Sequence, residues 1–121
     1  MSTEPPTEPY RPRRIVEDDD LSKALDWLRD SARDMGAAKE RLVNAGNMVK
    51  HVEALEFRRS DEKSAEARKA EARTSDKWLE AVTEEAKATG AYEMMRALRE
   101  AAALKIETWR SEQANYRALR I

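Results

Sequence analysis

Residues 74–115 decide the fold of this chain, and they read TSDKWLEAVTEEAKATGAYEMMRALREAAALKIETWRSEQAN. The stretch contains no proline and a single glycine, Gly90, and it opens with the helix-capping residues Ser75 and Asp76. We therefore predict one helix over residues 76–115. Its apolar stripe includes Val82, Ala91, Met95, Leu98, Ala102, Ile106 and Trp109. At about 1.5 Å per residue, this helix spans about 60 Å, which is too long for the core of a compact globule of this mass.

Two further helices are predicted upstream of this stretch. The first covers residues 19–34, because its apolar residues recur at steps of four and three: Leu21, Leu25, Leu28, Ala32 and Met35. The second covers residues 37–59, with a similar stripe: Ala38, Leu42, Ala45, Val49, Val52 and Leu55. Gly36 lies between them, and a glycine inside a helix costs about 1 kcal/mol relative to alanine. The two helices can therefore be separate or continuous at Gly36.

Residues 60–75 contain no apolar residue larger than alanine, although their helix propensity is high. We read them as a solvent-exposed, partly helical connector, which gives an all-α fold: a long antiparallel helical hairpin with an additional N-terminal helix. One hairpin leaves apolar surface exposed, so we expect a homo-oligomer or a protein partner. The predicted interface residues are Leu42, Val49, Val52, Met95, Leu98, Ile106 and Trp109. The alternative is a compact three-helix monomer that folds these residues inward.

All four prolines lie in residues 1–17: Pro5, Pro6, Pro9 and Pro12. Proline lacks the N–H that helices and sheets use, and few apolar residues accompany it here, so we predict a disordered tail over residues 1–17 and a helical domain over 18–121. The acidic run at residues 17–20 is interpreted as helix N-terminal chemistry, because acids accept from free N–H groups and suit the macrodipole. A metal or partner site is the alternative.

Composition excludes several classes of protein. Asp, Glu, Lys and Arg make up 39% of the 121 residues, yet the net charge is only −1, so no overall basic field draws in nucleic acid. The absence of cysteine excludes disulfide frameworks and thiolate metal sites. No apolar run reaches the roughly 18 residues of a membrane span, and the N-terminus lacks the apolar core of a signal peptide. We expect a soluble, intracellular protein with no membrane contact.

No constellation for catalysis is visible. His51 is the only histidine, and the Glu-x-x-His or paired-histidine spacing of helical metal sites is absent. The chain has no glycine-flanked turn for a serine nucleophile and no glycine loop for phosphate. We therefore expect no enzyme, cofactor, metal or small-molecule substrate.

Two basic clusters are candidate sites for DNA or an acidic partner. The first lies at the end of the second helix and in the connector, and comprises Arg58, Arg59, Arg68, Lys69 and Arg73. The second lies beside Trp109 and Tyr116 and comprises Arg110, Arg117 and Arg120. Nucleobases stack on such aromatic rings while arginines hold phosphates. The competing interpretation, which we favour because acids dilute both clusters, is that the arginines complement the helix macrodipole and the aromatics belong to the seam.

From residue 48 onward the chain resembles a group of small helical proteins of tailed bacteriophages and prophages. The segments that carry the resemblance are MVKHVEA at 48–54, KSAEAR at 63–68, YEMMRALR at 92–99 and ALKIETWRSEQANYR at 103–117, of which residues 109–115 are the most specific. The genes of this group tend to lie among replication and recombination genes. The resemblance implies a phage accessory role in the bacterial cytoplasm, and it transfers no catalytic residue.

Two hypotheses follow. The first is a non-enzymatic phage accessory protein that acts in DNA replication or recombination, through contacts with a replication or recombination protein or through weak contacts with DNA. The second is a structural or inhibitory coiled-coil protein that targets a host or phage enzyme.

Overall fold

A computed structural model describes residues 14–119, and every regular element in that range is an α-helix. The helices are α1 (Asp18–Asp30), α2 (Ala32–Arg59), α3 (Ala65–Ala72) and α4 (Asp76–Leu119). The predicted all-α class is confirmed. The Ser75 hydroxyl caps α4 as predicted, by accepting the Trp78 backbone N–H at 3.1 Å, and the helix continues past residue 115. None of the described helices combines the length and the apolar character needed to cross a membrane.

The first arm, formed by α1 and α2, lies along α4 and runs in the opposite chain direction. Three contacts trace the pairing: Asp18 with Trp109, Leu28 with Arg99, and Arg41 with Glu84. The residue number in α4 falls as the number in the first arm rises. The two arms therefore form an elongated pair of helices, and α3 packs against α2 at one end.

Each arm has its buried and half-buried residues at alternating steps of three and four, the heptad spacing of coiled coils. In the first arm this seam comprises Leu21, Ala24, Leu28, Ser31, Met35, Ala38, Leu42, Ala45, Val49 and Val52. In α4 it comprises Ala81, Glu85, Ala88, Tyr92, Met95, Arg99, Ala102, Ile106, Trp109, Gln113 and Tyr116. The fully buried positions of the seam are alanines and Ser31, and no large side chain in residues 14–119 is completely enclosed.

The seam corrects two of the predicted stripes. In α4, Ala91 and Leu98 are exposed, and the seam passes through Arg99 instead. In α1, Leu25 is exposed while its neighbour Ala24 is buried. The true seam includes polar residues such as Arg99. A stripe drawn only through apolar residues therefore follows an adjacent face of the helix. The predicted stripe of α2 lies in the seam from residue 38 to residue 52, as expected.

The first two helices separate at Ser31, so the predicted boundaries 19–34 and 37–59 are wrong at this junction. Arg99 Nη1 donates to the Leu28 carbonyl at 2.8 Å and to the Ser31 hydroxyl at 2.6 Å. A side chain that reaches into the backbone ladder is a known cause of helix interruption. Gly36 lies inside α2, and a Cβ added there would meet nothing within 4 Å, so its surroundings place no demand for glycine.

The connector is more ordered than its composition indicates. Residues 65–72 form α3, whose N-cap Ser64 accepts the backbone N–H three residues on at 3.1 Å. Ala72 is 1% exposed, and the Ser60 hydroxyl donates to the Glu71 carboxylate at 2.7 Å. The connector is thus partly helical, as predicted, but its two ends are packed rather than solvent-exposed.

The last residues of the predicted tail are also packed. Val16 is 5% exposed, and the backbone N–H groups of Ile15 and Val16 donate to the Glu112 carboxylate at 3.1 and 2.9 Å. Residues 14–17 therefore belong with the helices, because one carboxylate of α4 satisfies two of their amides. The four prolines and the remainder of the predicted tail lie outside the described residues.

Candidate interaction surfaces

The first basic cluster is largely committed to contacts within the chain. Arg59 pairs with Glu56 at 3.4 Å, and Arg73 pairs with Glu53 at 2.7 Å. Arg68 donates to the Glu62 carbonyl at 2.7 Å. Arg58 and Lys69 are exposed and have no ion pair with the described residues. Paired arginines carry little net positive potential, so this cluster offers a weaker phosphate site than its sequence indicates.

The second basic cluster is divided in the same way. Arg110 pairs with Glu107 at 3.4 Å, whereas Arg117 is exposed with no ion pair to the described residues. Arg120 lies outside the described residues. The two clusters are at opposite ends of α4, about 50 Å apart at 1.5 Å per residue, so the fold does not bring them together.

The aromatic residues of the second cluster are used inside the chain. The Trp109 indole Nε1 donates to the Asp18 carboxylate at 2.9 Å, and Trp109 is half-buried in the seam. The Arg14 guanidinium lies 4.8 Å from the centroid of the Tyr116 ring and pairs with Asp18 at 3.1 Å. These contacts favour the interpretation in which the aromatics belong to the seam and do not serve as stacking platforms.

Six of the seven predicted interface residues lie in the seam between the arms: Leu42, Val49, Val52, Met95, Ile106 and Trp109. Each is half-buried, so part of its apolar surface is already covered within the chain. Leu98 differs because it is 50% exposed and lies outside the seam. Of the predicted set, Leu98 therefore presents the most surface to a partner.

One flank of the paired arms carries a set of apolar residues between charged ones, and we call it the apolar side. Its members are Trp27, Met48, Ala91, Met94, Leu98 and Ala101. Trp27, Leu98 and Ala101 line one groove between α1 and α4. Leu98 lies one helical turn from both Met94 and Ala101, since residues three and four apart are neighbours on a helix. This side was not predicted from the sequence, although the spacing from residue 91 to residue 101 is a second heptad stripe.

An ion pair interrupts the apolar side between Met48 and Ala91. Arg41 Nη2 donates to Glu84 Oε1 at 2.7 Å, and Arg41 Nε donates to the same oxygen at 3.1 Å. The hydrogen bonds from Arg41, and then its charge, lower the pKa of Glu84 below its ordinary value. Because both side chains are about half exposed, solvent screens the pair and limits its contribution to stability.

The other flank of the arms, which we call the polar side, carries Lys39, Thr89, Arg96, Arg110 and Arg117, together with the exposed Leu25 and Val43. Arg96 lies between two glutamates of α4, at 3.7 Å from Glu93 and 3.4 Å from Glu100. The two flanks therefore differ mainly in α4, which carries arginines on one flank and Met94 and Leu98 on the other. In the first arm both flanks mix charged and apolar residues.

His51 is exposed, and residues 14–119 contain no group of three or more His, Asp or Glu side chains placed to hold a metal ion. The Trp78 indole N–H is buried without an acceptor in the described chain, which costs about 1–3 kcal/mol. Comparisons of the chain with protein families, curated proteins and solved structures find no match.

Proposed function

We propose that this chain is a non-enzymatic helical interaction protein whose apolar side docks on another protein surface. One observation carries the proposal: Met48, Met94 and Leu98 are 52%, 64% and 50% exposed on one flank, while the buried apolar side chains of residues 14–119 are six alanines and Val16. Scattered apolar residues on a surface are ordinary, but aligned ones mark an interaction site. The occupant of that side is a second copy of the chain or a different protein.

We propose that the setting is DNA replication or recombination in a phage-infected bacterial cytoplasm. The resemblance of residues 48 onward to small phage proteins supports this setting. Contact with a protein is the favoured mode, because Arg59, Arg73 and Arg110 are paired with glutamates and belong to three different helices or their ends. A phosphate-binding footprint would concentrate unpaired bases on one surface.

A structural or inhibitory coiled-coil protein that acts on a host or phage enzyme is the second candidate. The heptad seam that runs the length of both arms favours it, because such seams build rigid rods and spacers. The two candidates differ in partner and share the docking side.

Two binding measurements test the proposal. Purified protein is titrated onto fluorescent single-stranded and double-stranded DNA over a range of salt concentrations, and onto immobilised bacterial single-strand-binding protein, recombinase and replicative helicase. We expect no salt-dependent DNA binding, and we expect binding to one of the three proteins that Leu98→Glu weakens. The matched control is Leu104→Glu, six residues along the same helix and 67% exposed.

Three results would count against the proposal. Strong DNA binding with a steep salt slope would replace protein contact with DNA contact, and the triple substitution of Arg110, Arg117 and Arg120 by alanine should then flatten that slope. If the chain binds none of the three proteins, the proposed replication and recombination setting is wrong. Binding that Leu98→Glu and Leu104→Glu weaken equally removes the apolar side as the docking surface.

A further inference from the structure

The apolar side continues the seam sideways. Trp27, Met48, Ala91 and Leu98 each come immediately before a residue of the seam, and so all four lie on the same flank of the paired arms. A two-helix coiled coil needs apolar residues only along its seam. Helices with apolar residues on the seam and on one flank are typical of bundles with more than two helices. The pattern therefore calls for additional helices on this flank.

The flank is large enough for a stable interface between proteins. The first arm runs from residue 18 to residue 59, which corresponds to about 63 Å at 1.5 Å per residue. Two neighbouring helices, each about 10 Å wide, give a face of about 1,200 Å². A standard interface buries about 800 Å² on each partner, so even partial coverage of this face suffices.

The charges on the apolar side suit a surface that meets itself. Both signs occur among its apolar residues: the acids Asp20, Asp34, Glu80 and Glu84, and the bases Lys23, Arg41, Lys87 and Lys105. In a two-fold interface the same surface faces its own copy, so charges of one sign would repel. Mixed charges provide opposite signs to pair across the axis. They also provide no single-sign field for a strongly charged partner.

We infer that a second copy of this chain covers the apolar side, and that the two copies form a two-fold four-helix bundle. This inference rests on the proposed function, since it names the occupant of the same docking side. In α4, apolar residues then lie on two adjoining faces, one for the partner arm and one for the other copy, and Trp27 and Met48 extend the second face onto the first arm. Met94 and Leu98, half or more exposed in the single chain, lie inside the bundle.

Sedimentation velocity of the full chain over a dilution series tests the inference. The wild type is expected at twice the chain mass of 13.9 kDa. Leu98→Glu should raise the dissociation constant by about 100-fold or more, because each substitution counts twice in a two-fold interface. Leu104→Glu makes the same chemical change on the outer face of α4 and should leave the dimer intact. Circular dichroism verifies that both variants remain helical.

Methionine oxidation locates the interface independently. Met94 should oxidise slowly in the wild-type dimer and rapidly in the Leu98→Glu variant, as measured by peptide mass spectrometry after brief peroxide treatment. A wild-type dimer in which Met94 oxidises as fast as in that variant overturns the assignment of this side. The assignment of this side is also overturned if Leu104→Glu dissociates the dimer and Leu98→Glu leaves it intact.

The failure of this inference is distinct from the failure of the proposed function. A wild type that stays at 13.9 kDa across the dilution series overturns the second copy as the occupant. The proposed function then still stands if Leu98→Glu weakens binding to the single-strand-binding protein, recombinase or helicase. If Leu98→Glu changes neither the mass nor that binding, both conclusions are overturned.

Discussion

Replacement of Arg99 should destabilise this protein far more than replacement of its neighbour Arg96. Arg99 lies in the seam, and its Nη1 joins α4 to the Leu28 carbonyl and the Ser31 hydroxyl at the junction of α1 and α2. Ser31 is 5% exposed, so water cannot replace the lost donor there. Arg96 pairs only with exposed glutamates of its own helix.

The magnitude follows from these contacts. A hydrogen bond from a charged donor contributes about 1.5–3 kcal/mol, and a buried acceptor left without a partner costs about 1–3 kcal/mol. Arg99→Met retains much of the aliphatic stem and removes the donors, and we expect it to lower the free energy of unfolding by about 3 kcal/mol. Arg96→Met makes the same chemical change one turn earlier and should cost at most about 0.5 kcal/mol, as for other exposed pairs.

Urea unfolding followed by circular dichroism at one fixed protein concentration measures both variants, because self-association would otherwise shift the apparent stability. Hydrogen exchange adds a local readout: the amides of α1 should lose protection in Arg99→Met and keep it in Arg96→Met. If the two variants unfold within about 0.5 kcal/mol of each other, the contacts of Arg99 do not hold the junction, and the explanation of the break at Ser31 is wrong.

Four further substitutions test separate features. Gly36→Ala should raise the free energy of unfolding by about 1 kcal/mol in urea unfolding. Gly46→Ala should raise the free energy of unfolding by less, because the new Cβ would lie 3.0 Å from a glutamate carboxylate that must shift. An equal increase in the two variants would contradict this explanation. The lowered pKa of Glu84 means that its pair with Arg41 stabilises the fold above the ordinary glutamate pKa, and that this contribution is lost as pH falls through the lowered value. Arg41→Gln should return the pKa of Glu84, followed by NMR titration, to its ordinary range. If that pKa stays lowered, Arg41 is not the cause of the shift. Glu112→Gln should speed amide exchange in residues 14–17 without altering global unfolding, whereas unchanged exchange would show that the carboxylate does not anchor them.

The sequence predicts the seam of α2 well and that of α4 poorly, for a physical reason. Every seam position from residue 38 to residue 52 is apolar, so the period is unambiguous. The α4 seam includes Glu85, Arg99 and Gln113, and alanines occur on several faces of this helix. The positions of apolar residues in α4 therefore do not show which of its faces forms the seam. The break at Ser31 could not be predicted either, because it depends on a side chain 68 residues away in sequence.

The candidate surfaces show the same limit. Charge counting identified the arginines but not their partners, and the pair of Arg73 with Glu53 spans 20 residues of sequence. The apolar side was visible in principle, since Ala91, Met94, Leu98 and Ala101 follow heptad spacing. It was missed because Leu98 was assigned to the seam, and the structure shows that Leu98 lies on the flank beside it.

The alanines at the centre of the seam have a consequence for alignment. Alanine has no rotamers to lose on burial, so the arms come together at little entropic cost, but a methyl group fits against many other methyl groups almost equally well. A slide of the arms past each other by one heptad, about 10 Å, would retain most alanine contacts. The polar contacts would not survive it: Arg99 would leave Ser31, and Trp109 would leave Asp18. The register of this rod is thus set by its few polar contacts, and their removal should yield a chain that stays helical while its arms sample more than one alignment.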